Sequence, residues 1–251
     1  MIQINNISKS FKGRNIVSDI SFTFETGKTN MIIGESGSGK TTLIRCMVGL
    51  NDPDSGDVLF DGRAFYELDF MGKKEIRKDI GMLFQGGALF DSQTVEQNVV
   101  FPLSMLTNLS ESEKRDRANF CLKRVNLNNA NKLYPSELSG GMKKRVAIAR
   151  AIAVQPKYLF CDEPNSGLDP KTAIVIDNLI KEITEEYMIT TIVITHDMNS
   201  VIEIGEKIMF IYKGEKWWEG SKEEILQTEN KEVCDFVYAT KFMKTLKSKF
   251  Q

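Results

Sequence analysis

Residues 34–42, Gly34-Glu35-Ser36-Gly37-Ser38-Gly39-Lys40-Thr41-Thr42, have the composition needed to wrap a phosphate group. Gly34, Gly39, Lys40 and Thr41 occupy the fixed places of G-x-x-x-x-G-K-[ST]. Successive backbone N–H groups must converge on phosphate oxygens, and larger side chains would block that approach. Lys40 adds a full positive charge near the β- and γ-phosphates, and the Thr41 hydroxyl suits Mg²⁺, a hard cation that prefers oxygen. Far along the chain an apolar run at 158–161 ends in Asp162-Glu163. A carboxylate at that place supplies a ligand for Mg²⁺ beside the phosphates, and the next one can orient or activate an attacking water. Ser139-Gly140-Gly141 offers a hydroxyl and backbone amides at a helix start, a second anion site. Taken alone, that stretch reads first as a glycine turn before a helix. Beside a complete phosphate loop, it suggests contact with a nucleotide held by another copy of the chain.

These groups need elements to hold them. The apolar stretch 31–33 predicts a buried strand entering the phosphate loop, and 42–50 a helix leaving it, so that amides and helix dipole face the anion. Further strands are predicted over 2–4, 20–24, 57–60, 80–84, 158–161 and 191–195, with a hairpin of 207–212 and 216–219 around Lys213-Gly214-Glu215. Phe22 and Phe24 fall on one strand face and read as core. Residues 98–103 end one helix, and Ser110 opens another with Glu113 in a capping box. A helix over 139–153 is stopped by Pro156, and Asp169-Pro170 opens a helix whose apolar face is Ala173, Ile176, Ile180 and Ile183. Alternating strands and helices predict an α/β fold around a parallel sheet. The first strands and the final hairpin are candidates for an antiparallel accessory sheet.

Composition removes several classes. A formal net charge of −1 over 251 residues gives no basic field for nucleic acid. No apolar run reaches about 18 residues, and the first residues lack a basic region followed by an apolar one, so neither a membrane span nor a signal peptide is expected. Cys46, Cys121, Cys161 and Cys234 are scattered, which suits reduced, mostly buried thiols, and one histidine does not make a zinc set.

Leu138-Ser139-Gly140-Gly141-Met142 ahead of Asp162-Glu163-Pro164 resembles the signature and Walker B motifs of ATP-binding cassette (ABC) ATPases, over nearly the whole chain. The resemblance implies a P-loop NTPase fold. It would have a RecA-like parallel sheet core, an antiparallel β accessory sheet and a helical subdomain inserted at about 90–155. The nucleotide-binding domain would occupy 1–230, followed by a helical tail at 231–251. It implies ATP and Mg²⁺ as cofactors, with Gln85 as the Q-loop glutamine that touches Mg²⁺ and the membrane partner. Ser166-Gly167-Leu168-Asp169 becomes the D-loop, with Asp169 at the nucleotide interface, and His196 the switch histidine on the γ-phosphate. Phe11 stands at the distance of the aromatic that stacks on adenine, with core packing as the rival reading. Met142 replaces the commoner glutamine, and Asn165-Ser166 a commoner Thr-Ser or Thr-Ala; neither removes a phosphate ligand.

Residues 83–90, 98–103 and 134–142 further resemble the Mla type (maintenance of lipid asymmetry), bacterial ATPases that power phospholipid traffic between inner and outer membranes. Methionine- and amino-acid-import ATPases share much of that pattern. The resemblance implies a homodimer on the cytoplasmic face of the inner membrane, an integral-membrane permease docked on residues 86–105, a mammalian-cell-entry-type lipid-binding protein and a small regulatory subunit. A non-transport ABC ATPase acting on ribosomes or DNA would carry two cassettes, a coiled coil or basic arms, none of which is visible. A P-loop kinase or GTPase would leave 138–142 and His196 without a role. In the tail, Val233, Phe236, Val237, Thr240, Met243 and Phe250 form an apolar helix face, with Lys241, Lys244 and Lys247 along another side. It would pack on its own domain or a neighbouring subunit, or touch lipid.

Overall fold

The apolar stretch before the phosphate loop lies inside a six-stranded sheet. The computed structural model describes residues 1–239. The first half contains β1 (Ile2–Phe11), β2 (Arg14–Phe24), β3 (Thr29–Ile33), α1 (Lys40–Met47), β4 (Ser55–Phe60), β5 (Arg63–Ala64), α2 (Phe70–Lys78) and β6 (Ile80–Leu83). Three helices follow, α3 (Val95–Leu106), α4 (Glu111–Arg124) and α5 (Gly140–Ile152). The chain then continues through β7 (Tyr158–Asp162), α6 (Pro170–Tyr187), β8 (Thr190–Thr195), α7 (Met198–Ile204), β9 (Lys207–Tyr212), β10 (Glu215–Gly220), α8 (Lys222–Gln227) and α9 (Lys231–Val237).

The large sheet has the order β10-β9-β3-β8-β7-β6, parallel except for the β10 edge. Every residue of β3, β7 and β8 is buried, as strands covered on both faces must be. Alternation along the pleat splits the core in two. Met31, Ile33, Leu159, Cys161 and Val193 point to the side of α3–α9, whereas Ile32, Tyr158, Phe160, Ile192 and Ile194 face α1, α2 and the second sheet. That second sheet is antiparallel, with the order β2-β1-β4-β5. Phe22 and Phe24 are buried in it, ring centroids 4.9 Å apart.

The final hairpin departs from expectation. It belongs to the main sheet, because β9 is apolar on both faces and lies parallel to β3, Ile33 opposite Phe210. Its place as accessory strands is taken by β4 and β5. The first two strands also run longer than the apolar pattern suggests and meet in a two-residue turn, Lys12-Gly13, with φ of 51° and 77°, the conformation that matches strand twist in tight hairpins. Helix α3 does not end near 103 but runs through Pro102 to Leu106. Helices α2, α7 and α8 are short and carried no clear apolar period.

Ser110 and Glu113 do form the capping box of α4, and Asp169 caps α6 by accepting from the amides of Lys171 and Thr172. Cys46, Cys121 and Cys161 are buried free thiols. Val233 and Val237 of α9 are buried and Phe236 packs beside them, its ring 5.3 Å from Phe210, so this part of the tail rests on its own core. The remainder of the apolar and lysine faces, Thr240, Lys241, Met243, Lys244, Lys247 and Phe250, lies outside the described residues.

Candidate active site

Four strand ends bring the chemistry together. At one edge of the sheet β3 runs into the phosphate loop, β7 into Asp162-Glu163, β8 into His196 and β6 towards Gln85. Register sets them level: Ile33 pairs with Thr195, Asp162 with Ile194 and Leu83 with Cys161. Carboxyl ends of parallel strands are where α/β sheets bind ligands.

In the loop, Gly34, Gly37 and Gly39 have φ of 148°, 81° and 106°. Gly39 lies against the second sheet, a Cβ there falling 2.5 Å from the Ile16 carbonyl. Helix α1 begins with no side-chain cap, unlike α2 to α9, and its first amides are left for an anion. The Lys40 ammonium is buried and donates to the carbonyls of Gly34 and Glu35, both at 2.8 Å. Burial lowers its pKa, opposed by Glu163 and Asp162. Glu35, Ser36 and Gly37 are exposed, Ser38 is buried with a hydroxyl that has no partner among the described residues, and Thr41 and Thr42 are half-buried.

Asp162 is the candidate metal ligand. Its carboxyl accepts from Thr41, and its Oδ1 is a buried oxygen without a hydrogen-bond partner among the described residues. Burial and neighbouring Glu163 both push its pKa up. A divalent cation at Thr41 and Asp162 would satisfy the oxygen and offset the crowded negative charge, so the residues present fit Mg²⁺. Glu163, at φ 50°, has its amide bonded to the Ile194 carbonyl and its Oε1 2.8 Å from His196 Nδ1. A carboxylate only accepts, so Nδ1 donates. Glu163 and His196 line one cleft of about 720 Å³ with Glu35, Ser36, Asn165 and Phe236.

Ser139, Gly140, Gly141 and Asp169 are elsewhere. They share a second cleft of about 350 Å³ with Arg145, Thr172 and Gly167, the last of which also borders the first cleft. Ser139 caps α5 through the Met142 amide, and both Ser139 and Gly140 are exposed. The phosphate loop and the signature of one chain therefore occupy different clefts. Phe11 is not core: it is 46% exposed at the end of β1, with Lys9 Nζ 5.4 Å from its ring centroid. The next residues of that hairpin, Arg14, Asn15 and Ile16, line a cleft with Glu35 to Ser38. Gln85 is exposed just after β6, and its carbonyl accepts from Lys144.

Sequence reasoning missed a buried polar link behind the site. Asn165 Nδ2 donates to Asp177 Oδ1 at 2.7 Å and to Ser200 Oγ at 3.0 Å, tying the 163–169 loop to α6 and α7. Asp177 is 2% exposed, and burial pushes its carboxyl up to about 6, against the pull of Ser200 and Asn165. Because the folded pKa is the higher one, its contribution is full below about pH 4 and is lost as pH rises through about 6. The unfolding free energy of wild type relative to Asp177→Asn should therefore fall by up to about 3 kcal/mol from pH 4 to pH 7. Urea titrations across that range check it; a constant difference between the two proteins would be wrong for this assignment.

A phosphate loop, a Mg²⁺-competent aspartate, a Glu–His pair and a detached signature on one α/β frame define an ATP-binding cassette. The chain belongs to the ABC transporter ATP-binding family, whose family model, described as ABC transporter, matches residues 17–166. It is 40% identical over 237 residues to a methionine import ATP-binding protein, MetN, of Latilactobacillus sakei, covering 93% of this chain and 69% of that protein. To the intermembrane phospholipid transport system ATP-binding protein MlaF of Haemophilus influenzae it is 38% identical, over 94% of this chain and 90% of that protein. Among solved structures it resembles a dimeric ATP-binding cassette in a post-hydrolysis state bound to ADP and Pi, with a TM-score of 0.81 and 34% identity over 88% of this chain and 99% of that one. The cbiO1 cassette of Clostridium perfringens, part of the ABC transporter complex cbiONQ, gives 0.83 and 30% over 98% of both chains. The protein is accordingly an ATPase, the ATP-binding subunit of an ABC transporter.

Proposed function

We propose that this ATPase energises phospholipid movement between the two membranes of a bacterial envelope, as a peripheral subunit on the cytoplasmic face of the inner membrane. The observation carrying this reading is the phospholipid-transport relative, matched along nine-tenths of its length, with the signature 138–142 ending in Met142. Among the described residues no helix is long and apolar enough to cross a membrane, so the path for lipid would belong to a permease. A mammalian-cell-entry-type lipid-binding protein and a small regulatory subunit complete the assembly in this reading. Methionine or amino-acid import is the second reading, favoured by methionine-import relatives at 37–40% identity.

Two copies would sandwich two ATP molecules. Each site would take residues 34–42, Gln85, Asp162, Glu163 and His196 from one copy and Ser139, Gly140 and Gly141 from the other, with Asp169 beside the junction and Phe11 stacked on adenine. The separation of the two clefts within one chain supports this. Mg²⁺, held by Thr41, Asp162 and Gln85, would neutralise phosphate charge. Lys40 would leave its carbonyls for the phosphates, while Glu163 orients the water and His196 engages the γ-phosphate. ATP attracts both copies and closes the pair; loss of the γ-phosphate removes the bridge.

The permease would dock in an apolar groove of about 360 Å³ formed by Phe84, Phe90, Phe101, Pro102 and Leu106 beside Arg150. Phe84, Phe90 and Phe101 are each 39% exposed, an apolar cluster with water access of the kind that marks an interface. Affinity purification from membranes, with mass spectrometry of bound proteins and lipids, tests the reading. Phospholipid and a lipid-binding partner are expected, and Phe101→Asp should lose the permease while keeping ATPase activity. Recovery with an amino-acid permease would replace lipid by methionine-type import.

A further inference from the structure

Lys144 is a buried cation that, among the described residues, has no carboxylate hydrogen-bonded to it. It is 6% exposed, one turn into α5 from the signature. Its ammonium donates to the Gln85 carbonyl at 2.5 Å and to the Glu163 carbonyl at 3.3 Å. One side chain thus joins three elements: the helix that presents Ser139 to Gly141, the loop after β6, and the turn after β7. Its nearest negative groups include Asp162 and Glu163, the candidate metal ligand and water-orienting group.

Burying an ammonium is costly, and a methionine of similar length would fill the same space without that cost. Packing alone does not explain the charge. What Lys144 supplies and methionine cannot is a pair of hydrogen bonds to backbones that carry two reacting side chains. The same helix holds the loop again further on, where Arg150 donates to the carbonyls of Gly87 and Ala88 at 2.6 and 2.7 Å. With the loop's far end fixed by Arg150, the link from Gln85 to Glu163 is particular to Lys144.

We propose that Lys144 is a positioning residue for hydrolysis: it ties the signature helix to the backbones of Gln85 and Glu163, so that the orientation of that helix sets both side chains. This rests on the roles given to Gln85 and Glu163 above. A helix drawn towards the nucleotide of a second copy would carry Lys144 with it and bring its own Gln85 and Glu163 into line. Engagement of one site would thereby prepare the other.

The test measures kcat, KM and affinity for a fluorescent ATP analogue in the full chain, with thermal unfolding as the check on folding. Lys144→Met should lower kcat about a hundredfold, the size of effect a small misplacement of reacting groups produces, with KM and affinity within about threefold. Lys144→Gln, which keeps an N–H donor without charge, should recover to within about tenfold of wild type. Should Lys144→Met not fold, the kcat deficit of Lys144→Gln at unchanged affinity carries the test. A normal kcat in both variants, equal deficits in both, or a loss appearing in KM and affinity instead, would overturn the proposal. Glu163→Gln assayed in parallel separates the two levels: if that variant turns over normally, the roles assigned to the site fail, whatever Lys144 does.

Discussion

Glu163→Gln is expected to bind ATP within about threefold of wild type and to turn it over about a thousandfold more slowly, within the range that loss of a positioned general base produces. The geometry makes this substitution a narrow one. Glu163 is held by its backbone amide on the Ile194 carbonyl, by Lys144 on its own carbonyl and by His196 on its Oε1. Glutamine has the same shape, and its amide oxygen can still accept from His196 Nδ1. What disappears is basicity. The phosphate loop, with Lys40 and Thr41, is untouched, so affinity should survive. Nucleotide-bound protein should accumulate, visible in single-turnover assays as retained ATP and in sizing experiments as an ATP-dependent dimer. Fast single-turnover hydrolysis by this variant would remove Glu163 from its role.

The second large effect lies in the loop. Gly34→Ala should cost about 3 kcal/mol or more in stability and weaken ATP binding by at least about a hundredfold, whereas Gly37→Ala should cost only about 1–2 kcal/mol. Both residues have positive φ, yet their surroundings differ. A Cβ on Gly34 would lie 2.3 Å from the Ile211 carbonyl oxygen and 2.9 Å from Ser38 Oγ, while one on Gly37 meets nothing within 4 Å. Ile211 is β9 backbone paired with Lys216 of β10 and cannot yield cheaply, so the loop must. Moving Gly34 also moves the carbonyl that holds Lys40. Thermal unfolding and fluorescent-nucleotide titration of the two variants side by side check the contrast. Equal behaviour would mean that contact with β9 does not constrain the loop.

Motif spacing was enough to find the groups that gather at the sheet edge, because strand, loop and helix are each short-range and their residues lie within a few positions of the chemistry. Lys144 and Asp177 were harder. Both leave a faint trace, a charged residue on an apolar helical face: Lys144 is in phase with buried Ala147, Ile148 and Ala151, and Asp177 with Ile180 and Thr184. The partners that make sense of them, Gln85 and Glu163 for one, Asn165 and Ser200 for the other, are between 12 and 59 residues away, and no local pattern announces them. The hairpin shows the same limit. Its turn was legible from Lys213-Gly214, but which sheet it joins depends on β3, almost 180 residues earlier. Phe11 was ambiguous for a related reason, since the strand it ends is longer than its apolar pattern and carries it out of the core.

Residue types and their spacing were enough for the parallel α/β frame and membership of the ABC family, because glycines, a lysine and carboxylates at fixed spacing have few other uses. Tertiary structure alone decided how these pieces are tied together. It sent the signature to a different cleft from the phosphate loop of the same chain, and it placed a buried lysine between the signature helix and the backbones of Gln85 and Glu163. Such ties are made by hydrogen bonds and register between distant segments, and their strength depends on burial that exists only once the two cores have closed around the sheet.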